Sequence, residues 1–341
     1  RFSPSDSGQS NAILKIYSDD PDESQKDIGL IGNRTSIDYY VAPSPIGDDD
    51  DSGGIIPTSP FATIQHAIDI AQGTEGVPVV IHVAAGTYNE NVVMDAWESL
   101  EGGWNTDFSQ RWDFENGGLD PTEDFKTLIV GTDYLTIDVG DAEVSVEGLT
   151  LIPDPDAYVG AGIDIVNGRV RVADCSITGH YGDGIDNGSS YPTIITNCLL
   201  SYNMQAGIYN HAQSTTIVKG CNFISNHGVF SNGGIDNESP YLTTISNCYF
   251  SGNISDGVGG GAIRIYSNCP TTISDCYFNR NYADCDSNGG AIYNRSSSTI
   301  ITRCVFSENY VSEVMMEYGN GGGAICNYSC SPTITNCVFA G

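Results

Sequence analysis

The sequence predicts an all-β solenoid in which short strands wind into stacked parallel coils. Two observations carry that expectation. Seven cysteines recur at one repeat position, Cys175, Cys198, Cys221, Cys248, Cys276, Cys304 and Cys337, with spacings of 23, 23, 27, 28, 28 and 33 residues. An isoleucine precedes each of them by 12 or 13 residues: Ile163, Ile185, Ile208, Ile235, Ile263, Ile292 and Ile325. The stretch from each cysteine to the next isoleucine instead grows from 10 to 21 residues. One half of the repeat is therefore fixed, and the length variation enters at one place. A period of about 20 to 30 residues, made of β-branched segments and Gly/Asn/Ser turns, marks a solenoid.

Each column then acquires a structural meaning. Around the cysteine the pattern is apolar-x-x-Cys-x-apolar, from Val172 and Ile177 in the first copy to Ile334 and Phe339 in the last. A cysteine and the residue two later share one face of a strand. Stacked about 4.8 Å apart, the Ile, Cys and Phe columns become continuous internal rows. Five residues after the cysteines stand Asn203, Asn226, Asn253, Asn281 and Asn309. Their amides suit a turn, where they can bond from coil to coil and satisfy backbone groups that no sheet pairs.

The iterated "GGAIYN…TITNCxFSxN" resembles the right-handed parallel β-helix of pectin-lyase-like surface and secreted proteins. The upstream segments "SPFATIQHAIDIAQ", "VVIHVAAGTYNENVVM" and "SLEGGWNTDFSQR" are similar to the opening of such solenoids. The resemblance implies a right-handed parallel β-helix over residues 38–341, of about nine or ten coils. Residues 59–72 form a helix capping the first coil, with Ser59 as N-cap, Pro60 as first helical residue, and Phe61, Ile64, Ala67, Ile68 and Ala71 on the apolar face. Residues 79–152 supply the early coils, with Gly148 in the cysteine's place, and 160–341 the regular ones. Residues 1–37 stand outside the repeat as an extension, in which "NAILKIY" (Asn11 to Tyr17) reads as a lone strand available for pairing or assembly.

Composition narrows the partners. Thirteen basic residues against 43 acidic ones give a formal charge of −30, which argues against nucleic acid and anionic lipid. No apolar run is long enough to span a membrane. The chain begins at Arg1, as a mature or truncated product would. Few lysines, abundant Asn, Ser, Thr and Gly, and N-x-S/T sequons at Asn33, Asn187, Asn237, Asn253, Asn294 and Asn327 fit an extracellular or cell-surface setting. The run Asp48, Asp49, Asp50 and Asp51 is either a solvated loop or a weak calcium site; otherwise no cofactor is expected. The in-register cysteines read as a buried thiol ladder, since neighbours in a stack point the same way. Off the ladder, Cys269 and Cys330 are too far apart to bridge, whereas Cys326–Cys330 or a bridge from the Cys285 loop stays open.

One residue after each isoleucine lies an outward position, which reads Asp164, Asp186, Tyr209, Asp236, Arg264, Tyr293 and Cys326. Neighbouring carboxylates raise one another's pKa and can work as an acid–base pair, while Tyr209 and Tyr293 offer sugar platforms and His180, Asp183 and His211 flank the row. Solubility alone also places polar residues outward. The N-x-D, D-D, G-H-G and R-x-K motifs implied by polygalacturonase-like members are missing: "GHYGDG" breaks one, and Ile265-Tyr266 after Arg264 breaks another. The insertions emerge along one edge and end in a loop whose Met315, Met316 and Tyr318 suit a protein contact. Phe339 in the last repeat, with no capping element after it, suits head-to-tail self-association. The residues thus favour a structural or adhesive surface solenoid, partnered by itself, by other surface proteins or by polysaccharide. The alternative is a lyase, glycoside hydrolase or binder acting on acidic polysaccharide through Asp164, Asp186, Asp236 and Arg264.

Overall fold

The computed structural model describes residues 9–17, 25–33 and 36–341, apart from 51–52, 72, 74–76, 96, 142, 159, 230–231, 267, 285–288, 296 and 313–321. Three all-parallel sheets of eleven, ten and nine strands run its length. Successive strands of the chain visit the first, second and third sheet in turn, so nine turns of the chain give one strand to each sheet. The first sheet begins one strand earlier, with Ile37–Val41, and the first and second end one later, with Thr333–Thr335 and Val338–Ala340. This is a parallel β-helix, and the repeat is its coil.

The predicted columns are its interior. Ile185, Ile208, Ile235 and Ile263 are consecutive rungs of the third sheet and fully buried. Phe223, Phe250, Phe278, Phe306 and Phe339 stack with ring centroids 4.6–4.9 Å apart and nearly parallel planes. The ladder cysteines carry free thiols. Each donates to a carbonyl of the preceding coil, as Cys221 Sγ does to Ile195 O at 3.7 Å. The residue before each of them adopts a left-handed conformation, at Asp174, Asn197, Gly220, Asn247, Asp275, Arg303 and Asn336. Asn, Asp and Gly tolerate that corner best.

The Asn column forms the second corner. Asn203, Asn226, Asn253 and Asn281 are fully buried, and each passes its amide to the next. Asn226 Nδ2, for example, donates to Leu200 O at 2.9 Å and Asn253 Oδ1 at 3.0 Å, while its own Oδ1 accepts from Asn203 N at 3.2 Å. His180 heads this column, its backbone N–H donating to Asn203 Oδ1.

Several expectations are corrected. The helix spans Ile64–Ile70, not 59–72, and its N-cap is Thr63. Phe61 is bound to the first strand instead, donating to Tyr40 O and accepting from Ala42 N, which keeps Ser59 and Pro60 in the preceding turn. Register places Leu149, not Gly148, at the cysteine position; Gly148 occupies the left-handed corner beside Asp174. A Cβ there would also lie 2.8 Å from the Phe114 ring, so both backbone and space require glycine. The strand Gln9–Tyr17 is not alone, since it pairs antiparallel with Gln25–Asn33. The lengthening insertions build a fourth parallel sheet of His227–Gly228, Ile254–Ser255, Tyr282–Ala283 and Tyr310–Val311.

Four of the six sequons are corrected as well, while Asn327 is exposed. Asn187, Asn237, Asn253 and Asn294 are fully buried. Asn187, Asn210 and Asn237 form a second amide row, bonded at 2.9 and 2.7 Å, and Thr193, Thr216 and Thr243 donate to it at 3.1–3.2 Å. The sequon serines Ser189 and Ser239 donate to carbonyls of the preceding coil, at Gly168 and Ala212. Here the N-x-S pattern is an internal fastening, so these positions lend no weight to an extracellular setting.

Candidate functional site

Asp164, Asp186, Tyr209, Asp236, Arg264, Tyr293 and Cys326 are seven consecutive rungs of the third sheet, in the predicted order. Asp138 precedes Asp164 on the same row. Outward orientation does not make every member accessible. Asp236 is 1% exposed, Tyr293 3% and Cys326 6%. Asp236 lies under Arg264, which donates to its two carboxylate oxygens at 2.8 and 2.7 Å and reaches Glu238 Oε1 at 2.7 Å. Tyr209 donates to the other oxygen of Glu238 at 3.2 Å. His211 stands 2.9 Å from Asp186 Oδ1 and stacks on Tyr209 with centroids 4.8 Å apart.

The electrostatics split the row in two. In its first half, burial pushes the Asp164 carboxyl up to about 6, with the charges of Asp186 and Asp138 adding to the effect. Burial and Asp186 push Asp183 up to about 8, although it accepts a hydrogen bond from Ala206 N at 2.8 Å. The bond to Asp186 raises His211 above the ordinary histidine value. Burial lowers His180 to about 4, as befits a neutral imidazole bonded to Thr136 and Asn203 within the wall. In the second half the carboxylates of Asp236 and Glu238 are tied to Arg264. The groups of the row and its flank with raised pKa values and no arginine partner are Asp138, Asp164, Asp183 and His211.

The acidic run has another use. Asp49 accepts from Ala62 N, Thr63 N and Thr63 Oγ1 at 2.8–3.1 Å, anchoring the start of the helix. Glu90 completes that end by accepting from Ile64 N and Gln65 N, both at 2.9 Å. Asp48 and Asp50 are exposed, and Asp51 lies outside the described residues. Among the described residues no group of three or more His, Cys, Asp or Glu is placed to hold a metal ion. Met315, Met316 and Tyr318 lie outside the described residues, as does Cys285. Phe339 is 54% exposed on one side and stacked on Phe306 on the other.

Sequence reasoning passed over a hollow on the first sheet lined by Trp97, Glu143, Arg169 and Arg171. Trp97, Glu143 and Arg169 stand at one repeat position on three successive coils, with Arg171 two residues further on, but the residue type changes at every step.

Residues 275–295 match the Chlamydia polymorphic membrane protein (Chlamydia_PMP) repeat. That segment runs from a cysteine corner through the Phe and Asn columns to the next Gly-Gly-Ala-Ile-Tyr-Asn, which is a coil of this solenoid without its first-sheet strand. The chain is a parallel β-helix repeat protein. Among curated proteins none matches its sequence. Among solved structures this β-helix is similar to pectate lyase Pel9A, at 12% identity and TM-score 0.45, over 88% of this chain and 78% of that one. It is also similar to tailspike protein gp49 from Acinetobacter baumannii bacteriophage Fri1, a capsular polysaccharide depolymerase, at 13% identity and TM-score 0.38, over 91% and 59%. Pectin methylesterase PemA from Erwinia chrysanthemi follows at 14% identity and TM-score 0.36, over 80% of each chain. These likenesses are of fold. Among the described residues no helix is long and apolar enough to cross a membrane.

Proposed function

We propose that this β-helix is a structural or adhesive element displayed at a cell surface or outside the cell, rather than an enzyme. One observation carries the reading: from Asp186 to Arg264 the polar side chains on and beside the third-sheet row are bound to one another from coil to coil. Arg264 joins Asp236 and Glu238, Tyr209 joins Glu238, and His211 joins Asp186. The buried Asp236 spends both carboxylate oxygens on Arg264, so these groups fasten the outer wall as the asparagine rows fasten the inner one. The match to a repeat named for a membrane protein supports surface display. Self-association, other surface proteins and polysaccharide are the partners this role would use.

A second reading retains one specific support. Burial raises Asp183 to about 8 and Asp164 to about 6 beside the bonded Asp186 and His211, and a carboxyl with a raised pKa is what a glycosidic general acid requires. The deciding experiment incubates the purified chain with acidic and neutral polysaccharides, measuring new reducing ends, unsaturated products and retention on the polymer. Retention without turnover is expected. Turnover that disappears in Asp164→Asn would establish the second reading instead.

A further inference from the structure

The outer face of the first sheet holds two adjoining hollows, of about 520 and about 570 Å³, that share Trp97, Glu143 and Arg169. Both volumes lie in the range of ligand sites. Pro78, Pro192 and Arg171 line the first, and Asp141, Asn167 and Tyr191 the second. The register explains the assembly: Glu143 pairs with Arg169, and Ser99, Ser145, Arg171 and Ile194 form one row across four strands. Tyr191 is 49% exposed and Trp97 half-buried, so two aromatic faces border the same hollow.

The charge balance tells which ligand fits. Arg169 faces Glu143 at 3.8 Å, with side chains 56% and 50% exposed, which leaves both able to turn toward a ligand. Arg171 binds Glu147 at 2.6 Å, and Arg111 reaches the same carboxylate at 3.0 Å. The two guanidiniums that line the hollows, Arg169 and Arg171, are thus each paired with a carboxylate, while Asp141 accepts from Asn167. No surplus positive charge offsets the −30 of the whole chain, so a polyanion gains nothing by entering. Alternating guanidinium donors and carboxylate acceptors instead suit the adjacent hydroxyls of an uncharged sugar, and indole and phenol faces suit the apolar side of its ring.

We propose that this groove binds a neutral saccharide chain, with Trp97 and Tyr191 as platforms and Arg169 and Glu143 as the hydroxyl-reading pair. The proposal rests on the adhesive reading and names its ligand class; it assigns no turnover to the groove.

The test is calorimetric titration of the full chain with neutral tetrasaccharides of gluco, manno and galacto configuration and with a galacturonate tetramer, at low and high salt. At least one neutral tetrasaccharide is expected to bind with an affinity indifferent to salt. That binding should fall at least about tenfold in Trp97→Ala and in Arg169→Ala. It should not change in Tyr277→Ala, an exposed aromatic on the second sheet. Unchanged thermal unfolding of the exposed Arg169→Ala variant separates lost binding from lost folding. Stronger binding of the galacturonate, binding untouched by both groove variants, or no binding to any tetrasaccharide would each overturn the proposal. Beads coated with the chain and presented to whole cells test adhesion separately: adhesion that persists in Trp97→Ala would leave the adhesive reading standing while the groove assignment fails.

Discussion

The regular coils after residue 160 and the early coils before it solve the same problem by opposite means. In the regular coils each interior position is filled by a copy of itself, so Phe packs on Phe, Asn bonds to Asn and every cysteine repeats its neighbour's bond. The early coils have neither a cysteine nor an asparagine row. Leu149, Leu151, Ile129 and Ile137 fill their core. Their outer wall is fastened by individual contacts, such as Arg111 bridging to Glu147 and His82 lying between Asp38 and Glu101. Repetition stabilises each coil through its neighbours and leaves little room for a specialised site. The groove lies where repetition stops.

Breaking the repeated interior should have the largest effect. Phe278→Ala removes a ring stacked on both sides and should cost about 3–5 kcal/mol in urea unfolding. Asn226→Ala should come next, at about 3 kcal/mol, because it strands Leu200 O and Asn203 N in the wall. Equal or smaller losses than at exposed positions would show that the rows are incidental. Asp49→Ala, at the capping helix, should cost only about 1 kcal/mol by the same measurement.

Acid and base probe the outer wall. Asp183 ionises at about 8 in the fold against 3.8 as its ordinary value, so its raised pKa favours the folded state below 3.8 and that contribution is gone once pH passes about 8. Asp164 behaves likewise, with its loss complete above about 6. His180 has the opposite sign: its depressed pKa favours the fold above 6.5, and the contribution is lost as pH falls through about 4. Thermal stability should therefore fall between about pH 6.5 and 8 and level off above that, and Asp183→Asn should flatten that slope. The smallest effect expected is that of EDTA, which should leave the unfolding temperature unchanged because Asp49 is engaged by the helix; a drop would restore calcium to the account.

Much of this was legible in the sequence because a solenoid translates sequence period directly into register. The Ile, Cys, Phe and Asn columns, and the order of the third-sheet row from Asp164 to Cys326, could be read without a structure. The second amide row was visible too, as Ile-x-Asn in five of the seven repeats, but the serines that follow most of them made it look like a set of sequons. Tyr202, Arg280 and Glu308 sit in left-handed corners that their residue types do not advertise. Pro60 suggested a helix start, yet pairing of Phe61 with the first strand won. The groove left no periodic trace, since Trp97, Glu143 and Arg169 fill one repeat position with three unlike residue types.

The central claim is that the third-sheet row fastens the solenoid and does not turn over substrate. The most direct measurement is product formation from acidic and neutral polysaccharides by the wild-type chain and by Asp164→Asn, with thermal unfolding of both. The account predicts no product from either chain. Product from the wild type that vanishes in Asp164→Asn, with unfolding unchanged, would contradict it.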